Sequence, residues 1–269
     1  MKTVRNRNSE AGFTLIEIIV VIIIVGILSV LGGQFIVTPV SNYIALSRRA
    51  RLVDQADMVM RRMQRDIRHA LPNSIRIDGS GHYLEMLNTV DGGRYRRYQD
   101  GGSGDILDFT ISDTGFDVLG DLDAAPSQGY HLVVYNTSSS GISGNAYATN
   151  ADNMGVVGAG SSLNYIALSP GFAFANASPY QRFFIVDQPV TYACEGGRLN
   201  RYVGYAINSV QATPPPGSPA LVSQNVSACH FSYDPGANQR AGLVTLRLSL
   251  SEEGETITLL HQVHVVNVP

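Results

Sequence analysis

The chain begins with one long apolar segment and continues in shorter patterned ones. No charged residue occurs from Ile18 to Ser47, and a segment of this length can cross a bilayer as a helix. A short polar leader that contains Lys2, Arg5 and Arg7 precedes it. This order of a basic leader and an apolar run is typical of a targeting or anchoring segment.

Beyond the apolar segment, the pattern predicts an amphipathic continuation of the helix. We expect Pro39 to kink or locally break it and Pro72 to end it. Charged side chains on the other face either contact neighbouring subunits or are simply solvated; they include Arg48, Arg51, Asp54, Arg61, Arg62, Arg65, Asp66 and Arg68. The apolar residues recur at three- and four-residue steps, and they are Leu52, Ala56, Val59, Met60, Met63, Ile67, Ala70 and Leu71.

After Pro72 the apolar period changes to two, which predicts strands. The strongest pattern runs from Val244 to Leu250 and, after a turn at residues 251–255, from Thr256 to Val266, which predicts an antiparallel hairpin. Further strand candidates are residues 106–111, 131–135 and 183–190, and in the first of these Leu107, Phe109 and Ile111 share one face. Turn-forming residues predict loops at residues 91–93, 100–105, 136–153 and 214–219.

Three interpretations of the amino terminus remain open from the pattern alone. They are a signal peptide cut near Gly32 and Gly33, an uncut membrane anchor, and an anchor cut before the apolar run. Glu17 bears on the choice, because a carboxylate in hydrocarbon costs roughly 3 kcal/mol. An ordinary secretion signal gains nothing from such an acid, although Glu17 could also mark only the membrane interface.

The residues around this acid resemble a known processing signature. The run from Gly12 through Phe13 to Glu17 is similar to the type IV prepilin signature that pilins share with type II secretion pseudopilins. The resemblance implies that a prepilin peptidase cuts between Gly12 and Phe13 and methylates the new amino group of Phe13. It also implies that Glu17 pairs with the terminal amine of a neighbouring subunit, and a buried charge is tolerable when it is paired.

The rest of the chain extends the resemblance with less specific matches. Residues 115–120, 180–184, 241–246 and 261–265 are similar to minor pilins of the mannose-sensitive haemagglutinin (MSHA) pilus, which are themselves similar to J-type pseudopilins. The implied fold is α+β and type IV pilin-like. It has a cleaved leader at residues 1–12, a helix at 13–71 with a transmembrane segment at about 13–37, and an antiparallel β-sheet body at 72–269 packed on the second half of the helix.

The resemblance also implies a function, a set of partners and a location. The expected function is that of a minor pilin that enters a pilus filament or primes its assembly. The expected partners are prepilin peptidase, other major and minor pilins, the inner-membrane assembly platform and the lipid bilayer. The protein would cross the bacterial inner membrane once, with its body in the periplasm, and then reach the pilus at the cell surface. Alternatives are a J-type pseudopilin, a pilus-tip adhesin with sugar-binding loops, and a membrane-tethered periplasmic enzyme.

The charge balance and the cysteine content bear on the possible partners and on the compartment. With 19 basic and 22 acidic residues, the net charge is -3, whereas nucleic-acid-binding proteins usually show a basic surplus. The chain contains two cysteines, Cys194 and Cys229. Outside the cytoplasm two cysteines most simply form one disulfide, and two free buried thiols are the alternative.

Candidate catalytic and metal-binding residues are sparse. The run from Gly141 to Gly144 is one residue short of a nucleophile elbow, and no phosphate-binding or dinucleotide fingerprint is present. His261 and His264 are three residues apart on a predicted strand, so they point to opposite faces and suit one metal poorly. Asp100, Asp105 and Asp108 offer hard oxygen ligands for Ca²⁺ but lack EF-hand spacing. We therefore expect no enzyme activity, metal or cofactor.

Overall fold

The computed structural model describes most of the chain. The leader with Lys2, Arg5 and Arg7 lies outside the described residues, and so does the candidate ligand Asp100. The described residues are 12–99, 101–236 and 241–269, with the backbone alone over 33–38.

A long helix, α1, spans Leu15–Arg68 and is continuous through Pro39. Of the two alternatives predicted at this proline, the local break is therefore wrong, and the kink stays a prediction. The chain divides into two compact units, residues 1–50 and residues 51–269, and α1 contributes to both. The second unit contains the last part of α1 and the sheets.

Among the described residues, twelve strands follow the helix, and every pairing between them is antiparallel. The predicted α+β class, with an apolar amino-terminal helix followed by an antiparallel body, is confirmed. The strands are β1 (Arg76–Ile77), β2 (Tyr83–Arg94), β3 (Asp113–Asp117), β4 (His131–Val134), β5 (Met154–Val156), β6 (Tyr165–Phe172), β7 (Arg182–Glu195), β8 (Arg198–Tyr202), β9 (Ala220–Ser223), β10 (Val226–Asp234), β11 (Ala241–Glu252) and β12 (Glu255–Val266).

The strands form three sheets. The largest has seven strands in the order β1-β2-β7-β4-β5, with β8 paired to β7 and β9 paired to β8. A second sheet has the order β10-β11-β12, and β3 pairs with β6 in a third. Strand β7 is the longest strand and pairs with β2, β4 and β8.

The last part of α1 forms one core with the two larger sheets. Its apolar stripe is buried as the periodicity predicts. The same core contains Tyr192 of β7 and Leu246 of β11. A second core, around Phe116 and Phe183, lies between the two-stranded and seven-stranded sheets. The buried helix residues are Leu52, Ala56, Val59, Met60, Met63 and Ile67.

The predicted carboxy-terminal hairpin is confirmed, with Glu252 opposite Glu255 at its closed end. Its strands extend further than the pattern indicated, so the turn contains only Glu253 and Gly254. Both residues have positive φ, 46° and 84°, as a type I′ turn requires. Glycine adopts this conformation at little cost.

The strand predicted at residues 106–111 is absent, and β3 begins only at Asp113. Two aspartates explain the difference. The carboxylate of Asp108 accepts hydrogen bonds from the backbone N–H and the hydroxyl of Thr110, at 2.8 and 2.7 Å. Asp113 in turn accepts one from the N–H of Asp108 at 2.7 Å. Such local side-chain bonds favour a turn over a strand, and Ile111 is exposed as a result.

The loop predicted at residues 91–93 is wrong, because this segment lies inside β2. Gly92 and Gly93 pair with Phe184 and Phe183 of β7. A Cβ atom at Gly93 would lie 2.9 Å from Cζ of Phe183, so the missing side chain permits close packing rather than a turn.

The helix also ends three residues before the predicted limit of 71. Ala70 forms a bridge with Asn88, and the N–H of Leu71 donates to the carbonyl of Leu87 at 2.8 Å. These residues were expected to continue the apolar stripe of the helix. They are buried, but they pair with β2 at the edge of the seven-stranded sheet and do not continue the helix.

Candidate processing and assembly site

The described chain begins with an exposed, non-helical approach to α1. Gly12, Phe13 and Thr14 precede the helix and are exposed, and the side chain of Phe13 is 75% exposed. A Cβ atom at Gly12 would meet nothing within 4 Å. Among the described residues, none therefore covers the bond between Gly12 and Phe13.

Thr14 caps the helix. Its backbone carbonyl and its hydroxyl both accept hydrogen bonds from the N–H of Glu17, at 3.1 and 3.4 Å. This is half of a capping box, in which a Thr and a Glu three residues later satisfy the free N–H groups of a helix start. The spacing of Thr14 and Glu17 was present in the sequence, but its capping role was not predicted.

Glu17 lies in the first turn of α1 with its side chain exposed. A negative charge is favourable at that end of a helix, because the unpaired N–H groups carry partial positive charge. The amine that cleavage would create lies on Phe13, ahead of the same turn. Glu17 is therefore available to a group outside this chain, while the cap fixes the position of its backbone.

The surroundings of Glu17 are apolar over the whole circumference of the helix. The segment Leu15–Gly32 has a mean hydropathy of 3.0, and none of it is buried within the protein. Within the described part of the chain, it is the one helical segment with the length and composition to cross a membrane. A helix that is apolar all round needs a lipid or protein environment, and in either environment an isolated carboxylate is costly.

The structure joins Cys194 of β7 to Cys229 of β10 by a disulfide, with a Cα–Cα distance of 6.1 Å. Neither strand pairs with the other, so the bond links the seven-stranded sheet to the three-stranded one. The residues between the cysteines include the irregular proline-rich run at 214–219. The bond therefore closes a covalent loop that also contains β8, β9 and this proline-rich run.

The other candidate ligands do not come together. His261 is half-buried and its Nε2 lies 3.1 Å from Oε1 of Gln64, whereas His264 is exposed on the opposite face of β12. Ser143, in the short elbow-like run, donates to Asp152 at 2.6 Å. Among the described residues, no group of three or more His, Cys, Asp or Glu side chains has the arrangement of a metal site.

One charged pair that the sequence gave no reason to single out is buried in the body. Glu85 of β2 is 1% exposed, and its Oε1 accepts hydrogen bonds from Nη2 and Nε of Arg76 at 2.6 and 3.0 Å. Arg76 also donates to the carbonyls of Asn208 and Ser209, and its guanidinium lies 3.7 Å from the ring centre of Tyr147. Burial raises the pKa of Glu85, and Arg76 opposes that rise.

The long loop at residues 136–153 contains three buried asparagines that bond within the protein. Asn136 is buried; its amide donates to the carbonyl of Pro72 at 2.8 Å, and its side-chain oxygen accepts from the N–H of Ala146 at 2.9 Å. Asn145 and Asn153 are buried as well. Asn136 attaches the loop to the segment after α1, whereas Asn145 donates to Gly141 and Asn153 donates to Asn136 within the loop. These three buried side chains therefore do not form an exposed surface for a sugar.

Comparison with known proteins agrees with the geometry of the amino terminus. Residues 7–32 match the family model described as the prokaryotic N-terminal methylation motif. No curated protein matches the chain, and no solved structure matches it. The match covers the region around Gly12, Phe13 and Glu17 and suggests a structural rather than an enzymatic role. The motif indicates a membrane-anchored protein of the type IV pilin or pseudopilin type, which is processed by a prepilin peptidase and assembles with other pilins.

Proposed function

We propose that this chain is a minor pilin of a type IV pilus, similar to the O-type minor pilin of the MSHA pilus. Its leader, residues 1–12, is removed by cleavage between Gly12 and Phe13, and the new amino group of Phe13 is methylated. The subunit then remains in the bacterial inner membrane, with its body in the periplasm, until assembly. From there it enters the pilus or primes its assembly, through contacts with other pilins and the inner-membrane assembly platform.

One observation supports this proposal above the others. Glu17 is an exposed carboxylate at the start of a helix that is otherwise apolar and unburied from Leu15 to Gly32. A membrane anchor alone has no use for such an acid, because its insertion is unfavourable. A neighbouring subunit that offers a terminal amine would neutralise it, and α1 would then pack in the filament core.

The experiment is the substitution Glu17→Val in cells that make the pilus. We expect normal cleavage but more than about tenfold less incorporation. The substitution would leave the terminal amine of the neighbouring subunit as an unpaired buried charge, which costs roughly 3–5 kcal/mol, and about 1.4 kcal/mol corresponds to a tenfold change. Asp54→Val is the matched control, since Asp54 is an exposed acid of the same helix beyond its apolar part. Wild-type incorporation of the Glu17→Val protein, measured by immunoblotting of sheared pili, would refute the pairing.

A J-type pseudopilin of type II secretion would use the same cleavage and the same pairing. The pilus and the secretion system differ in the phenotype expected when the subunit is deleted. We expect deletion of this chain to reduce piliation while secretion of periplasmic enzymes continues. Loss of secretion with normal pili would instead assign the chain to the secretion system.

A further inference from the structure

A groove of about 500 Å³ lies on the body along the paired strands β2 and β7. It is separate from the amino-terminal segment and from the disulfide. The residues that define it are Arg94, Arg182, Phe184, Gly92 and Asp123. Its volume is within the range of roughly 300–1,000 Å³ that is usual for small-ligand pockets.

Two arginines face each other across this groove. Arg94 of β2 is the register partner of Arg182 of β7, so their side chains leave the same face of the sheet. Like charges directly opposite each other destabilise a strand pair. Within the described residues, neither guanidinium has a carboxylate at ion-pair distance. Arg182 donates one long hydrogen bond, 3.5 Å, to the carbonyl of Val268 and lies 5.4 Å from the ring centre of Tyr180, which leaves its other donors for a ligand. This arrangement favours an external carboxylate, which two guanidinium groups bind by charge-assisted hydrogen bonds.

The floor of the groove is aromatic. A Cβ atom at Gly92 would lie 3.3 Å from Cδ1 of Phe184, so the missing side chain leaves space over this ring. Phe184 is only half-buried. Small-ligand sites commonly combine such apolar surface with a few placed polar groups, and the C–H face of a sugar ring suits an aromatic floor.

The wall of the groove supplies hydrogen-bond acceptors. Asp91 accepts from the N–H of Gly92 at 2.7 Å and from the N–H of Asp123 at 3.0 Å, so it holds the Asp123 segment against β2. The carboxylate of Asp123 is exposed at the wall. A carboxylate only accepts hydrogen bonds, so Asp123 can contribute to binding a ligand that carries hydroxyl or amide donors.

We propose that this groove binds a carboxylate-bearing saccharide. The sugar carboxylate lies between Arg94 and Arg182, a sugar ring lies over Phe184, and sugar hydroxyls donate to Asp123. A sugar acid carries both the anion for the arginines and the donors for Asp123, whereas a simple anion would contact the arginines alone. The proposal concerns ligand binding by the body and does not depend on how the chain assembles.

The test is calorimetric titration of the full chain in detergent micelles with three probes: a galacturonate disaccharide, a glucuronate disaccharide and sialyllactose. Neutral galactobiose and lactose, together with acetate, are the ligand controls. We expect at least one acidic sugar to bind about tenfold or more tightly than every control, and Arg94→Gln and Arg182→Gln each to weaken it by about tenfold or more. Arg247→Gln, an exposed arginine of β11, should bind as the wild type does.

Arg94 is exposed, so Arg94→Gln should keep the wild-type melting temperature, and its binding result is then interpretable even if Arg182→Gln destabilises the fold. Absence of binding to all three acidic sugars would overturn the proposal. Equal binding of the neutral sugars or of acetate would overturn it too, and so would undiminished affinity in Arg94→Gln.

Discussion

Two glutamates in this chain illustrate opposite solutions to the cost of a carboxylate. Glu85 is fully enclosed and is neutralised within the chain by Arg76. Glu17 has an exposed side chain in an apolar segment, and on the proposed function its counter-ion comes from another subunit. Removal of Arg76 would leave a buried charge unpaired within the body, whereas on the proposed function removal of Glu17 would affect assembly.

The pH dependence of stability tests the burial of Glu85. Burial raises its pKa in the folded protein above the ordinary value of 4.5, although Arg76 opposes the rise. As the pH rises above that value, the unfolded chain releases the proton first, so the folded state binds more protons and stability falls. We expect the wild type to lose stability relative to Glu85→Gln as the pH rises above about 4.5, measured by urea unfolding of the full chain in detergent.

Asp78 is the matched control for this measurement. Burial tends to raise its pKa, but hydrogen bonds from Ser80, Tyr83 and His82 outweigh burial and lower the pKa below 3.8. The wild type should therefore gain stability relative to Asp78→Asn as the pH rises through the acid range. If the stability of the wild type relative to Glu85→Gln and its stability relative to Asp78→Asn changed in the same direction with pH, the raised pKa of Glu85 would be contradicted.

The sequence predicted some of these residue roles and not others. Gly12, Phe13 and Glu17 could be singled out because their order is a local signature. The Thr14 cap was readable from its spacing to Glu17 but is easily overlooked beside the longer motif. The opposition of Arg94 to Arg182 depends on strand register across 88 positions of sequence, and nothing local to either residue predicts it.

At the scale of elements, α1 changes its surroundings along its length. Up to Leu31 its large apolar side chains are exposed, whereas from Leu52 to Ile67 one stripe is buried in the body core. The apolar period predicted this change correctly, because the all-round pattern becomes a one-sided one. The break expected at Pro39 did not follow, although proline removes one hydrogen-bond donor from the helix.

Truncation of the buried stripe should be costly, and truncation outside it should not. Ile67 is fully buried, whereas Met58 on the same helix is 65% exposed. We expect Ile67→Ala to lower the free energy of unfolding by about 2–5 kcal/mol and Met58→Ala to change it by less than about 0.5 kcal/mol. Equal effects of the two substitutions in urea unfolding would show that the stripe does not pack on the sheets.

The disulfide should stabilise the body by connecting two sheets. Closing a loop of this length is worth about 4 kcal/mol in the chain-entropy model. We expect the double variant Cys194→Ser, Cys229→Ser to melt at a lower temperature than the wild type. A reductant should lower the melting temperature of the wild type and leave that of the double variant unchanged. No effect of reductant on the wild type would contradict the bond.

Strand prediction succeeded where the side-chain pattern was regular and failed where local chemistry intervened. The carboxy-terminal hairpin was predicted because its buried face alternates without interruption. Residues 106–111 alternate equally well, but Asp108 and Asp113 hold them in turns by hydrogen bonds. Gly92 and Gly93 were assigned to a loop because glycine favours turns, whereas here it permits close packing against Phe183.

At the scale of the whole molecule, one chain contains an apolar helix and a folded β-sheet body. The body can form its cores from its own sheets and the last part of α1. Among the described residues, none buries the apolar segment Leu15–Gly32. The segment therefore requires an environment of lipid or of other protein, and on the proposed function the membrane and then the filament core provide it.

The most direct test is the mass of the amino-terminal peptide of the protein isolated from cells that contain a prepilin peptidase. The account predicts a peptide that begins at Phe13 and is one methyl group heavier than its sequence mass. A chain that still begins at Met1, or one that begins beyond the apolar segment at Leu15–Gly32, would contradict it.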